Sequence, residues 1–291
     1  MIDRVDKAWH TKGIEQYSTA AILGSLAHYG VEISEESFLK LSVEDFPLTI
    51  ALMWHETWKG TGQFSRFPGA AAEELWRRLK GGEPAPTDLS LALVNLLEKL
   101  DGALAEKPFL MSEIEELFTA AEAYLPRLPQ TALRRQRFVL EMMGAMGEWE
   151  DVFNAVAEAV AKKGQAALAD RMAALDEAII PMRRGVSTAL VKAAKGEVEA
   201  AGVELAAIAG DSARQPPDRL SAIDGLLQLG RFDEVKRFAM QLVDVAETSR
   251  DPDVASETVE RLARLIDEDP ERADRDELME RVKKLAKALE G

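Results

Sequence analysis

The run His55-Glu56-Thr57-Trp58-Lys59 begins as a helix-borne zinc motif does, with an imidazole ligand and an adjacent carboxylate to serve as base. That chemistry needs a second histidine four residues after the first, one turn along the same face, and Lys59 stands there instead. His28 is the nearest further imidazole, so a site made of His28, His55 and Glu56 requires the first and third helices to bring all three together. Gly60-Thr61-Gly62-Gln63-Phe64-Ser65 lacks the third glycine of a dinucleotide fingerprint and follows a helical stretch instead of a strand. No Gly-Lys-Ser/Thr phosphate loop occurs, and the acidic run Asp267 to Glu277 lacks the central glycine of a calcium loop and carries Pro270, Arg272 and Arg275. Cysteine is absent, which excludes thiolate metal sites, disulfides and thiol nucleophiles. The expectation is a non-enzymatic protein with no cofactor, no catalytic residue and no metal. The alternative is a divergent or degenerate enzyme using the N-terminal histidines and carboxylates.

Recognition is the second kind of chemistry. Trp54 and Trp58 lie one helical turn apart, the next loop offers Phe64, Arg66 and Phe67 between glycines, and Trp76 follows. Aromatic and arginine side chains carry most interface energy, so these six are expected to form a partner-binding face; the same residue types also build cores. Arg134, Arg135 and Arg137 form a small basic cluster, expected to be a site for an anion or an acidic partner, and Arg183 with Arg184 is a second. On a helix Arg134, Arg137 and Glu141 share one face. The chain as a whole has 36 Lys and Arg against 51 Asp and Glu, a net charge of −15. Such a field repels phosphate backbones and anionic lipid, so a protein or peptide partner is expected, with no nucleic acid and no membrane. No uncharged stretch approaches the ~18–20 apolar residues needed to span a bilayer. The first ten residues hold Asp3, Asp6 and Trp9 and no apolar signal core, so a cytoplasmic location is expected.

The elements that must position these residues read as helices. Apolar residues recur three and four apart, as in Leu89, Leu93, Leu96, Leu97 and Leu100, and again in Leu278, Val282, Leu285 and Leu289. Fourteen helices are expected, among them 14–29, 34–42, 47–59, 88–106, 112–125, 130–146 and 186–209, and no strand. Ser112 with Glu115 reads as a capping box, Thr87 as an N-cap and Pro47 as a first helical turn. Gly30, Gly60, Gly147 and Gly230 each follow a periodic run where a left-handed residue would close the helix. Helices joined by such short connections lie antiparallel and bury their stripes by stacking.

One turn pattern occurs twice. Met146-Gly147-Glu148-Trp149-Glu150-Asp151-Val152 and Leu229-Gly230-Arg231-Phe232-Asp233-Glu234-Val235 share an apolar residue, Gly, any residue, an aromatic, two acids and Val, 83 residues apart. The turn resembles the corner between the two helices of a tetratricopeptide (TPR) repeat, over residues 130–250, although the spacing fits two units of about 41 residues better than the 34 of that family. The resemblance implies an all-α fold of stacked antiparallel helix hairpins, an α-solenoid, whose concave face takes a peptide or protein. Residues Gln16 to Glu35 are similar in rhythm to the nucleophile helix of C39-like cysteine peptidases, but Tyr17 stands where the cysteine would be. Two domains are expected: an irregular N-terminal helical domain, 1–128, and TPR-like helical repeats, 129–291. Together these readings point to an adaptor or chaperone-like scaffold. Four of the five tryptophans and all three histidines precede residue 80, so specific contacts are expected in the N-terminal domain.

Overall fold

Apolar stripes three and four residues apart can be hidden only against other stripes, and the computed structural model, which describes residues 4–104, 111–146, 149–249 and 251–289, hides them by packing helix on helix. Sixteen α-helices and no strand occur among the described residues. None of these helices is long and apolar enough to cross a membrane. Packing divides the chain into two compact units, Met1–Trp149 and Glu150–Gly291.

The first unit contains α1 (Trp9–Lys12), α2 (Thr19–His28), α3 (Glu35–Leu41), α4 (Pro47–His55), α5 (Phe67–Leu79), α6 (Pro86–Leu104), α7 (Met111–Glu122) and α8 (Ala132–Met146). Its centre is α5, whose Ala71, Ala72, Leu75 and Trp76 are fully buried, packed against α4. The expected stripe on α6 is buried along its whole length and packs on α7 and α8. Ser18 and Ser34 cap α2 and α3, each accepting a hydrogen bond from a backbone N–H at 3.1 Å. Pro47 opens α4 as expected. Two expected caps fall inside helices instead: Thr87 is the second residue of α6, and Ser112 the second of α7. The division between units also falls later than 128/129, because α8 packs on α6 and belongs to the first unit.

The second unit contains α9 (Trp149–Lys162), α10 (Ala166–Ile179), α11 (Val186–Ala194), α12 (Val198–Gly210), α13 (Pro216–Gln228), α14 (Phe232–Ser249), α15 (Pro252–Glu268) and α16 (Arg275–Leu289). From α10 onward each helix packs on its sequence neighbour, and α13 also touches α11 and α15. The expected single helix 186–209 is two, broken at Gly196. Gly164, Gly196 and Gly230 have φ of +81°, +96° and +69° and are 32 and 34 residues apart. At each, the glycine N–H donates to the carbonyl three residues back at 2.9 Å, and the next N–H reaches the carbonyl five back, at 3.2, 3.1 and 3.0 Å. This double closure satisfies the orphan carbonyls of a helix end and turns the chain back on itself. Gly30 closes α2 the same way, with φ +104°. Gly60 does not: its φ is not left-handed, and a Cβ there would stand 2.5 Å from the Trp58 ring. Gly147 lies outside the described residues, so the first copy of the turn pattern does too; the spacing of the closures that are described is shorter than the expected 41.

Gly196 and Gly230 have open space around them, so a side chain there costs backbone strain alone. Gly196→Ala and Gly230→Ala should each lose roughly 1–2 kcal/mol in chemical denaturation. Gly144→Ala, inside α8 with equally open surroundings, should instead gain roughly 0.5–1 kcal/mol. Equal effects at the three positions would show that the left-handed closures are not what holds the turns.

Candidate functional site

The six residues expected to face a partner go mostly to the interior. Phe67 and Trp76 are fully buried, Trp54 and Phe64 nearly so, and Trp58 is half-buried. They divide among three aromatic contacts. Trp58 stacks on Phe67 at 6.0 Å, with Phe64, Tyr29 and Trp9 closing round that pair at 4.9–5.6 Å. Trp54 meets Phe38 at 6.1 Å, and Trp76 meets Phe46 at 5.3 Å. Their polar edges are satisfied inside the unit: Trp58 Nε1 donates to the Phe64 carbonyl and Trp76 Nε1 to that of Glu83, at 3.1 and 3.0 Å. The cluster is core, which corrects the expectation of an interface; of the six only Arg66 is exposed.

The arginine cluster is corrected likewise. Arg134 donates to the Glu83 carboxylate at 2.8 Å and to the backbone carbonyls of Ser42, at 2.9 Å, and Val43, while its guanidinium lies 4.6 Å over the Phe46 ring. Arg137 donates to the Glu44 carbonyl at 2.9 Å and pairs with the Glu44 carboxylate. Arg135 is half-buried, and burial pulls its pKa below the ordinary value. The expected shared face of α8 is real, and its third member completes the pattern. Glu141, almost fully buried, accepts from the N–H of Leu48 at 2.7 Å, the N–H of Thr49 at 3.1 Å and the Thr49 hydroxyl at 3.0 Å. Cations on α8 thus hold the carbonyls that follow α3, and an anion on α8 holds the N-terminus of α4, whose own N-cap Phe46 has no side-chain acceptor. Burial raises the Glu141 carboxyl above its ordinary value, against the three hydrogen bonds that lower it.

Beside this junction the first unit opens. Helix α4 is apolar on every side: Ile50, Ala51 and Trp54 are buried, while Leu48, Leu52 and Met53 are 41, 59 and 39% exposed. Leu48 and Leu52 line a surface groove of about 330 Å³ whose other wall carries Leu140 of α8, itself 60% exposed, with Asp45 and Arg137 at the rim. The signal for this face is present in the nine residues from Pro47 to His55, which include no Asp, Glu, Lys or Arg and have too many apolar side chains for one stripe. The histidine reading finds no support in geometry: His28, His55 and Glu56 are all exposed, and no group of three or more His, Asp or Glu able to hold a metal occurs among the described residues.

No protein-family model, curated protein or solved structure matches this chain.

Removing the Glu141 carboxylate leaves two part-buried α4 N–H groups without a protein acceptor. Glu141→Ala should therefore cost about 1–3 kcal/mol in urea denaturation, with Glu141→Gln recovering part through its remaining carbonyl oxygen. A loss indistinguishable from zero would show that α4 does not need this cap.

Proposed function

We propose that the protein is a non-enzymatic adaptor or scaffold, and that its partner docks on the α4–α8 groove. The observation that carries this is the outer face of α4. A nine-residue helix that buries Ile50, Ala51 and Trp54 and still exposes Met53, and Leu48 and Leu52 beside Leu140, has an apolar surface with no use inside its own unit. Contiguous apolar patches with a polar rim mark protein-interaction sites. The occupant that fits is an amphipathic peptide segment, two apolar side chains one turn apart entering between Leu48, Leu52 and Leu140, with basic flanks drawn by the net charge of −15.

The second unit is read as an α-solenoid of the TPR kind acting as scaffold. Support comes from its closures 32 and 34 residues apart, next to the 34-residue period of that family, and from the contacts of α13 with α11 and α15 on one side of the series. The cytoplasm is the proposed location.

The test compares proteins captured from lysate by the intact chain and by Leu52→Asp, Leu140→Asp and the double variant, with crosslinking and mass spectrometry to place the contacts. A stoichiometric partner should crosslink to α4 or α8 and weaken at least tenfold in the double variant, while the melting temperature stays within a degree or two, since both side chains face solvent. Undiminished capture by the double variant, or crosslinks confined to residues beyond 150, would reject the groove.

A further inference from the structure

The second unit contains a partly open cavity of about 180 Å³, separate from the groove and from everything the proposed docking uses. Its wall is assembled from α9, α11, α13, α15 and the turn after α10, and its polar members include Asn154, Arg183, Ser221, Asp224, Arg261 and Arg264. Ser221 and Asp224 are one turn apart on α13, and Arg261 and Arg264 one turn apart on α15, so each helix turns one face toward the cavity.

Arg183 is the unusual member. Its side chain is only 2% exposed. Its Nε donates to the wholly buried Asp176 carboxylate at 3.1 Å, and Nη2 donates to Asn154 Oδ1 at 2.6 Å. Its Nη1 is buried with no acceptor in the protein. Proteins rarely leave a buried guanidinium N–H without an oxygen to receive it. The other two arginines are held in place but stay nearer the surface: both pair with Asp224, Arg261 at 2.7 Å and Arg264 at 3.2 Å, with Glu257 and Glu268 each 3.5 Å behind them. Three guanidinium groups thus line the cavity with Asp224, while Asp176, Glu257 and Glu268 pair with them from behind the wall. Burial raises the Asp224 carboxyl above its ordinary value, against the two arginines that lower it.

We propose that this cavity is a receptor for one carboxylate group, carried either by a small organic acid or by an acidic peptide, with Nη1 of Arg183 as the anchoring donor. Arginine is suited to the task because its fork of N–H groups matches a carboxylate in shape and charge. The volume of about 180 Å³ admits a small carboxylic acid or one acidic side chain, being below the ~300–1,000 Å³ of sites that enclose drug-sized ligands. Asp224 in the wall selects for a single negative charge, since it opposes a phosphate dianion more strongly than a carboxylate.

The intact protein titrated with acetate, succinate and a tetraglutamate peptide, followed by melting temperature and calorimetry at matched ionic strength, tests this. Saturable stabilisation beyond that of potassium chloride is expected. A response to the peptide alone assigns the carboxylate to a macromolecular partner, and a response to acetate or succinate assigns it to a small acid. Ser221→Leu, which fills the cavity and leaves every ion pair intact, should weaken that response at least tenfold, as should Arg264→Gln at the rim. Arg183→Met serves only as a supporting variant, because it strands Asp176. The proposal is overturned if no carboxylate acts beyond chloride, if Ser221→Leu responds as the parent does, or if inorganic phosphate binds more tightly than every carboxylate.

Discussion

One face of α8 holds the first unit together. Arg134, Arg137 and Glu141 run along it at intervals of three and four, and the α3–α4 corner runs beside them with its carbonyls first and its N–H groups after. A helix end leaves partial negative charge at its C-terminus and partial positive charge at its N-terminus. The order of the three α8 side chains, two cations and then an anion, meets that sequence of partial charges group by group. The groove follows from the same contact: Leu140 is next to Glu141, and Leu48 carries one of the N–H groups that Glu141 receives.

The second unit solves the problem of helix ends differently. Its helices have few aromatic residues and gain their antiparallel arrangement from backbone that closes on itself at Gly164, Gly196 and Gly230. Small residues then allow close approach. Gly225 of α13 sits so near Leu205 of α12 that a Cβ would stand 2.9 Å from its side chain. A stack made this way has one side of α13 left for lining a cavity, and polar groups can gather there without interrupting the apolar core.

Helicity, the α6 stripe and the shared face of Arg134, Arg137 and Glu141 were legible in the sequence because they depend on spacing within one helix. What opposes a face is not written in spacing. Trp54, Phe64, Phe67 and Trp76 have the composition of an interface and the burial of a core, and only the packing of α4 and α5 distinguishes the two. Arg134 and Arg137 of α8, which read as an anion site, instead bind the protein's own carbonyls and carboxylates, with separations of 51 to 93 residues. Arg183 and Arg184 look alike in sequence, yet one is buried on Asp176 and the other is exposed. The break at Gly196 is not legible in the sequence because apolar residues recur at helical spacing in both α11 and α12, and a left-handed glycine leaves no mark on hydropathy.

Glu141 lies 93 residues after the Leu48 N–H it receives. During synthesis at about 5–20 residues per second, the start of α4 therefore waits roughly 5–20 s for its acceptor. Over that interval α3, α4 and α5 have emerged, yet the corner between the first two has neither its cations nor its anion, and the outer leucines of α4 have no α8 beside them. The second unit has no such delay, since its closures are made within six residues of chain. Within the first unit maturation thus lags emergence: the α3–α4 corner is locked only once α8 has left the ribosome, whereas each closure of the second unit can form as soon as its own turn emerges.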